Sequence, residues 1–141
     1  MADPAPGMPA VAGRPHVSSI RVRYAETDQM GIAYYANYLV WFEVARTDWL
    51  RAAGLTYRSL EAQGLFLPVI EAHCAYRAPA RYDDALAVRA VARLVSPARL
   101  AFDYDITGPD GAVASGSTVH AFTDGRGRPV RVPASIKDLI G

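Results

Sequence analysis

Residues 24–46 read YAETDQMGIAYYANYLVWFEVAR. A strand-like run enters this stretch, a loop carrying Asp28 and Gly31 follows, and an apolar helix is predicted over residues 37–53. Asn37 is placed to cap its N-terminus, because its short polar side chain can accept from an N–H of the first turn. Tyr38, Phe42, Ala45, Trp49 and Ala52 recur at helical spacing, and Leu39, Trp41, Val44 and Leu50 widen that stripe. A narrow polar strip remains, made of Glu43, Thr47 and Arg51 with Arg46 and Asp48 at its edges. A helix this apolar is expected to be mostly covered, and Gly54 suits its C-terminal stop.

On either side of the helix the period changes from 3.6 to 2. Residues 17–25 alternate as a half-buried strand, with Val17, Ile20, Val22 and Tyr24 on the apolar side. A short helix is predicted over residues 57–63, before Gly64. Strands are predicted over 65–76, where Pro68 implies an edge or a bulge, and over 85–95, 99–107 and 112–123. Asp124-Gly125-Arg126-Gly127 marks a turn, residues 130–132 can pair back, and 134–139 suit a terminal helix. One helix followed by a run of strands indicates an α+β fold, an antiparallel five-stranded sheet curled around one long central helix. Residues 1–16, rich in Pro, Gly and Ala, read as a disordered arm, and residues 17–141 as one domain.

With 51% hydrophobic and 21% charged residues among 141, the composition is that of a globular protein able to bury a core. A net charge of +1 gives no general attraction to nucleic acid or to an anionic membrane. No apolar run approaches the ~18 residues of a membrane span. The single cysteine, Cys74, forms no internal disulfide and fits a reducing cytoplasm. The histidines are His16, His73 and His120; none sits in a metal-binding or nucleophile motif, and no metal site is expected.

Asp28 has two readings. It can hydrogen-bond its own turn, or it can act on a substrate. The second follows from the nearby helix start, where backbone N–H groups around residues 35–38 and the helix dipole favour developing negative charge. A carboxylate facing such a site can attack a carbonyl, or take a proton from the water that does. Tyr34, Tyr35 and Tyr38 can shield the site or simply pack.

The residues Asp28, Gly31, Tyr35, Asn37, Tyr38, Glu43 and Arg46 resemble the motif of the hotdog-fold acyl-CoA thioesterases, in the branch of 4-hydroxybenzoyl-CoA thioesterase and its short-chain acyl-CoA relatives. The resemblance continues at Pro68, Ala75-Tyr76, Ala80, Tyr82-Asp83-Asp84 and Leu86, and spans residues 19–133. It implies an acyl-CoA substrate, no metal or organic cofactor, and a homo-oligomer, dimer or tetramer, with the site between subunits. Asp28 matches the catalytic carboxylate, as nucleophile or base. The backbone near Tyr35 matches the element that polarises the thioester carbonyl. Tyr35 stands where many short-chain relatives have His, which mildly favours the aromatic-acyl branch. Gly31, Tyr34, Asn37 and Tyr38 are expected to line the substrate site. Glu43 either pairs with Arg46 at i, i+3 or serves as a second acid. Arg99 is the preferred ligand for the coenzyme phosphates, ahead of Arg81, Arg126 and Arg128. The rival readings are a hotdog hydratase or dehydratase, which needs a catalytic His, and a non-catalytic acyl-thioester binding protein.

Overall fold

A computed structural model describes residues 14–140 of the chain. The elements in order are β1 (His16–Arg21), α1 (Asn37–Ala52), α2 (Tyr57–Ala62), β2 (Val69–Tyr76), β3 (Ala85–Ser96), β4 (Arg99–Gly108), β5 (Gly111–Ala121) and α3 (Ala134–Ile140). The strands form one antiparallel sheet in the order β1-β3-β4-β5-β2. The chain therefore leaves one edge strand, runs through α1 across the sheet, and returns as the opposite edge. This is the expected α+β hotdog arrangement of a five-stranded sheet around a long helix. Of the expected arm, residues 1–13 lie outside the described residues, and His16 opens β1.

The inward faces of the central strands follow the alternation in the sequence. Leu86, Val88, Ala90 and Ala92 of β3 and Leu100, Phe102, Tyr104 and Ile106 of β4 are all buried. They receive α1 through aromatic contacts: Phe42 stacks on Tyr104 with centroids 4.2 Å apart, and Trp49 meets Phe102 edge-on at 5.4 Å. Gly116 lets the helix come this close. A Cβ there would press on the His73 carbonyl oxygen and lie 2.7 Å from Phe42.

Several expectations are corrected. The first strand ends at Arg21 rather than at residue 25, because the chain turns into a 3-10 helix at Tyr24–Glu26. Its inward residues are Ser18, Ile20 and Val22, whereas Val17 and Tyr24 face outward. Asn37 is not the N-cap of α1; Ala36 holds that position, with no side-chain cap bond. The helix is also less covered than its composition suggests, with Leu39, Val40 and Val44 each 40–50% exposed in the single protomer. The C-terminal stop is as expected: Gly54 adopts φ 84° and Leu55 N–H closes back on Leu50 C=O at 2.8 Å.

Arg46 does not belong to the polar strip. It is buried and forms no salt bridge with Glu43; it donates instead to the Tyr57 hydroxyl at 2.8 Å and the Tyr104 hydroxyl at 3.2 Å. From Tyr104 a chain of hydrogen bonds continues through Thr118 Oγ1 (2.7 Å) to His120 Nε2 (2.8 Å), and His120 Nδ1 meets the Leu67 carbonyl at 3.2 Å. The ends fix its direction. Arginine only donates and a carbonyl only accepts, so Nδ1 carries the imidazole proton and Nε2 accepts from Thr118. Thr118 in turn accepts from Tyr104. A second proton on His120 would oppose this chain. Burial, together with the Arg46 charge, lowers the His120 pKa to about 4.

This gives a stability prediction. The unfolded chain takes up a proton on His120 near pH 6.5, and the folded chain refuses it down to about pH 4. Stability should therefore fall as pH drops across that interval, by up to ~3 kcal/mol from this residue, and His120 should add no further slope below it. Denaturant titrations of wild type and His120→Gln from pH 7 to pH 4 check this. The variant should be less stable at pH 7 but show a shallower loss; parallel curves would remove His120 from the explanation.

Candidate active site

The loop between β1 and α1 is organised by Glu26, a residue the sequence reading passed over. Its side chain is buried and accepts from Arg23 N–H at 2.8 Å and from the Trp41 indole at 3.0 Å. Its backbone carbonyl accepts from Tyr34 N–H at 2.8 Å and from the Asn37 side-chain amide at 2.7 Å. Burial pushes the Glu26 pKa up, but the Arg23 N–H, the Trp41 N–H and the Arg23 charge outweigh it and hold the acid below its ordinary value. The carboxylate is the preferred state here. Asn37 thus fastens the loop to the helix rather than capping it. The only sequence signal was an acid at the end of a strand, a position usually exposed.

With its base held in this way, the loop makes a tight turn. Asp28 C=O accepts from Gly31 N–H at 2.9 Å, and Asp28 N–H donates to Ile32 C=O at 2.9 Å. Gly31 has φ 79°, a conformation that disfavours a side chain. Asp28 Oδ1 accepts from Met30 N–H at 2.9 Å, whereas Oδ2 accepts from no group among the described residues. The carboxylate closes its turn with one oxygen and leaves the other open. Tyr34 has its pKa raised chiefly by the neighbouring Tyr35 hydroxyl, with Asp28 adding to the effect.

The start of α1 leaves two donors over. Asn37, Tyr38 and Leu39 N–H bond back to Tyr34, Tyr35 and Ala36 C=O at 3.0, 3.4 and 3.2 Å. Tyr35 N–H and Ala36 N–H donate to nothing among the described residues. Four aromatic rings cluster at this end of the helix. Tyr34 lies 4.7 Å from Tyr35, Tyr35 lies 6.4 Å from Tyr76, and Tyr38 lies 4.8 Å from Tyr76. Tyr38 is buried and its hydroxyl accepts from Ala80 N–H at 3.3 Å, whereas Tyr34, Tyr35 and Tyr76 are exposed.

The fold therefore brings Asp28, Gly31, Tyr34, Tyr35, Asn37 and Tyr38 to one place. Glu43 lies apart, exposed on the outer face of α1. So does Arg99. Tyr76 stands opposite Ala114 and Ala114 opposite Ile106, so Arg99 lies seven residues away along β4, ~23 Å at strand rise. A cavity of about 520 Å³ lies at the far, C-terminal end of α1, lined by Arg14, His16, Trp49 and Asp138 among others, away from Asp28.

A helix held in a curled sheet, with an acid-bearing loop at its head, defines the hotdog class, and comparison with known proteins agrees. The thioesterase-like superfamily matches residues 22–140, and the chain belongs to that family. It is 32% identical over 120 residues to an acyl-CoA thioesterase, YbgC, of Haemophilus influenzae, covering 84% of this chain and 88% of that one. Among solved structures it is similar to a DHNA-CoA thioesterase from Staphylococcus aureus, with a TM-score of 0.79 and 33% identity over 83% of this chain and 80% of that one. A 4-hydroxybenzoyl CoA thioesterase variant in complex with 4-hydroxybenzoyl CoA shares the fold, with a TM-score of 0.82 at 21% identity over 91% of this chain and 99% of that one.

Proposed function

We propose that this protein hydrolyses an acyl-CoA thioester to the free acid and coenzyme A. The observation that carries the reading is that Asp28, whose charge reaches Tyr34 and whose Oδ2 is open, precedes two N–H groups, Tyr35 and Ala36, that donate to nothing among the described residues. The N–H groups and the partial positive charge of α1 polarise the thioester carbonyl and stabilise the oxyanion. Water then adds to the carbonyl carbon while Asp28 takes its proton; alternatively Asp28 attacks first and water opens the resulting anhydride. By either route the C–S bond breaks and the coenzyme leaves as a thiol. Tyr34 and Tyr38 shape the acyl side of the site, while Gly31 permits the turn that carries Asp28 and Asn37 fastens that loop to the helix. Named relatives acting on acyl-CoA and DHNA-CoA support the substrate class. A hydratase would need a histidine beside the loop, but His120 is sealed in the core, His16 lies at the far end of α1, and His73 lies three residues, ~10 Å, before Tyr76 on the opposite face of β2. A binding protein without turnover is separated from an enzyme by thiol release.

We read the working form as a homo-oligomer, dimer or tetramer, in the cytoplasm. The single cysteine supports the compartment. Three features support the assembly. Strand β2 is an unpaired edge with Val69 and Ile70 more than 40% exposed. On the outer face of α1, Leu39, Val40 and Val44 form an exposed apolar patch beside Glu43. Arg99, seven residues along β4 from the Tyr76 end of the sheet, fits a phosphate contact made by a second copy. Sedimentation at micromolar concentration should show a dimer or larger; monomer alone would overturn the assembly.

Asp28→Asn should lower turnover at least ~10²-fold, the usual worth of a base or nucleophile, with fold and oligomer intact because the amide is nearly isosteric. Thiol release from a panel of acyl-CoA substrates measures it. A folded variant keeping more than about a tenth of wild-type turnover would reject Asp28 as the acting carboxylate. Arg99→Ala should weaken acyl-CoA binding by a charge-assisted contact of ~1.5–3 kcal/mol if shielded, or less if exposed, while sparing a truncated thioester that lacks the nucleotide. Equal effects on both substrates would dismiss Arg99 as the phosphate ligand.

A further inference from the structure

Tyr76 sits at the end of edge strand β2, 41 residues from Tyr35 in sequence, and its hydroxyl donates to the Tyr35 backbone carbonyl at 2.9 Å. That carbonyl belongs to the same peptide unit as Ala36 N–H. In a trans peptide C=O and N–H point in opposite directions, so a group that holds the oxygen also aims the hydrogen. The preceding unit is held in the same manner: Tyr34 C=O is tied by Asn37 N–H, which turns Tyr35 N–H away from the helix. The two ties differ in kind. The Tyr34 carbonyl is held by the helix's own backbone at 3.0 Å, whereas the helix offers the Tyr35 carbonyl only Tyr38 N–H at 3.4 Å. Tyr76 supplies the shorter bond.

We propose that Tyr76 is a positioning residue for the oxyanion site, fixing the Tyr35–Ala36 peptide plane so that its free N–H faces the thioester carbonyl. The inference rests on the hydrolase reading above. Donation to the Tyr35 carbonyl also polarises that amide and strengthens its N–H as a donor. Burial first, then Cys74, Tyr38 and Tyr35, push the Tyr76 pKa up to about 12, so the hydroxyl remains a donor at every working pH. Its ring is packed against Tyr38 at 4.8 Å and Tyr35 at 6.4 Å, which fixes the hydroxyl from below. Because Tyr76 is on a different element, β2, the aim of the donor is coupled to the sheet edge and not to the helix alone.

The test is Tyr76→Phe, which keeps the ring and deletes the hydroxyl. Turnover should fall roughly tenfold to a hundredfold, less than the loss of a whole oxyanion donor, while KM for the same acyl-CoA stays within about threefold. Tyr76→4-aminophenylalanine, which retains a donor at that point, should recover most of the turnover. In an Asp28→Asn background, the carbonyl stretch of a bound carbon-13-labelled acyl-CoA should lie below its free value and move back toward it when Tyr76→Phe is added. Unchanged turnover and an unchanged stretch would overturn the assignment, as would a rise in KM at constant turnover. If Tyr76→Phe fails to fold, Tyr76→4-fluorophenylalanine fills the hydroxyl's space without donating. Loss of the fold in both would make the bond structural and overturn it too. Failure of the hydrolase reading would show differently, as absence of thiol release by the wild-type protein.

Discussion

Glu26 accepts four N–H groups, two on its carboxylate and two on its backbone carbonyl, and the end of the molecule that carries the candidate site depends on this. The carboxylate joins the end of the β1 segment, through Arg23 N–H, to the core of α1, through Trp41. The carbonyl joins the loop, through Tyr34, to the first residue of α1, through Asn37. The Arg23, Trp41 and Asn37 donors are shielded from water to some degree, so each would carry a desolvation cost if left without an acceptor. A single residue thereby fixes where the loop begins and where it ends. The seven residues between, 27 to 33, have little freedom left beyond the turn that Gly31 permits.

A second polar arrangement does for the middle of the helix what Glu26 does for its head. Arg46 is a buried cation whose partners are phenols, not a carboxylate. Such a group is tolerated when its protons are satisfied and its surroundings stay neutral or accepting. The chain from Tyr104 through Thr118 and His120 to the Leu67 carbonyl meets that requirement, because every hydroxyl passes its own proton onward. It also connects α1, α2, β4, β5 and the segment leading to β2. A slip of α1 by one residue would misplace Arg46 relative to both phenols, so the chain specifies the axial position of the helix more sharply than apolar packing would.

The elements read most easily from the sequence were those whose signal is local. Alternation in β3 and β4 gave both their limits and their inward residues, since strands buried on one face have a period of two whatever surrounds them. Asp28, Gly31 and the head of α1 were legible because a turn and a helix start are also local. What failed was decided by distant partners. Asn37 has the chemistry of a cap, but a carbonyl eleven residues earlier competes for its side chain and wins. Arg46 lies on the edge of a polar strip by helical projection, yet Tyr104, fifty-eight positions away, draws it inward. Tyr76 entered only as part of a resemblance, because nothing near it in sequence reveals that its hydroxyl ends on Tyr35.

The location of the free donors follows from these ties. An α-helix ordinarily leaves its first four N–H groups without partners. Here the bonds from Asn37, Tyr38 and Leu39 to the carbonyls three residues earlier satisfy donors that would otherwise be open, and they prolong the helical path backward by a turn. The unpaired donors are thereby displaced from the helix proper to Tyr35 and Ala36, on the segment that Glu26 holds against the Asp28 loop. The dipole of the 16-residue helix still terminates there. The displacement matters for the proposed chemistry, because donors on a flexible loop would have to be reoriented for each substrate, and electrostatic stabilisation of an oxyanion is effective only when its dipoles are already aligned. A tight turn at the head of α1, with each of its carbonyls tied down, supplies that alignment before any substrate arrives.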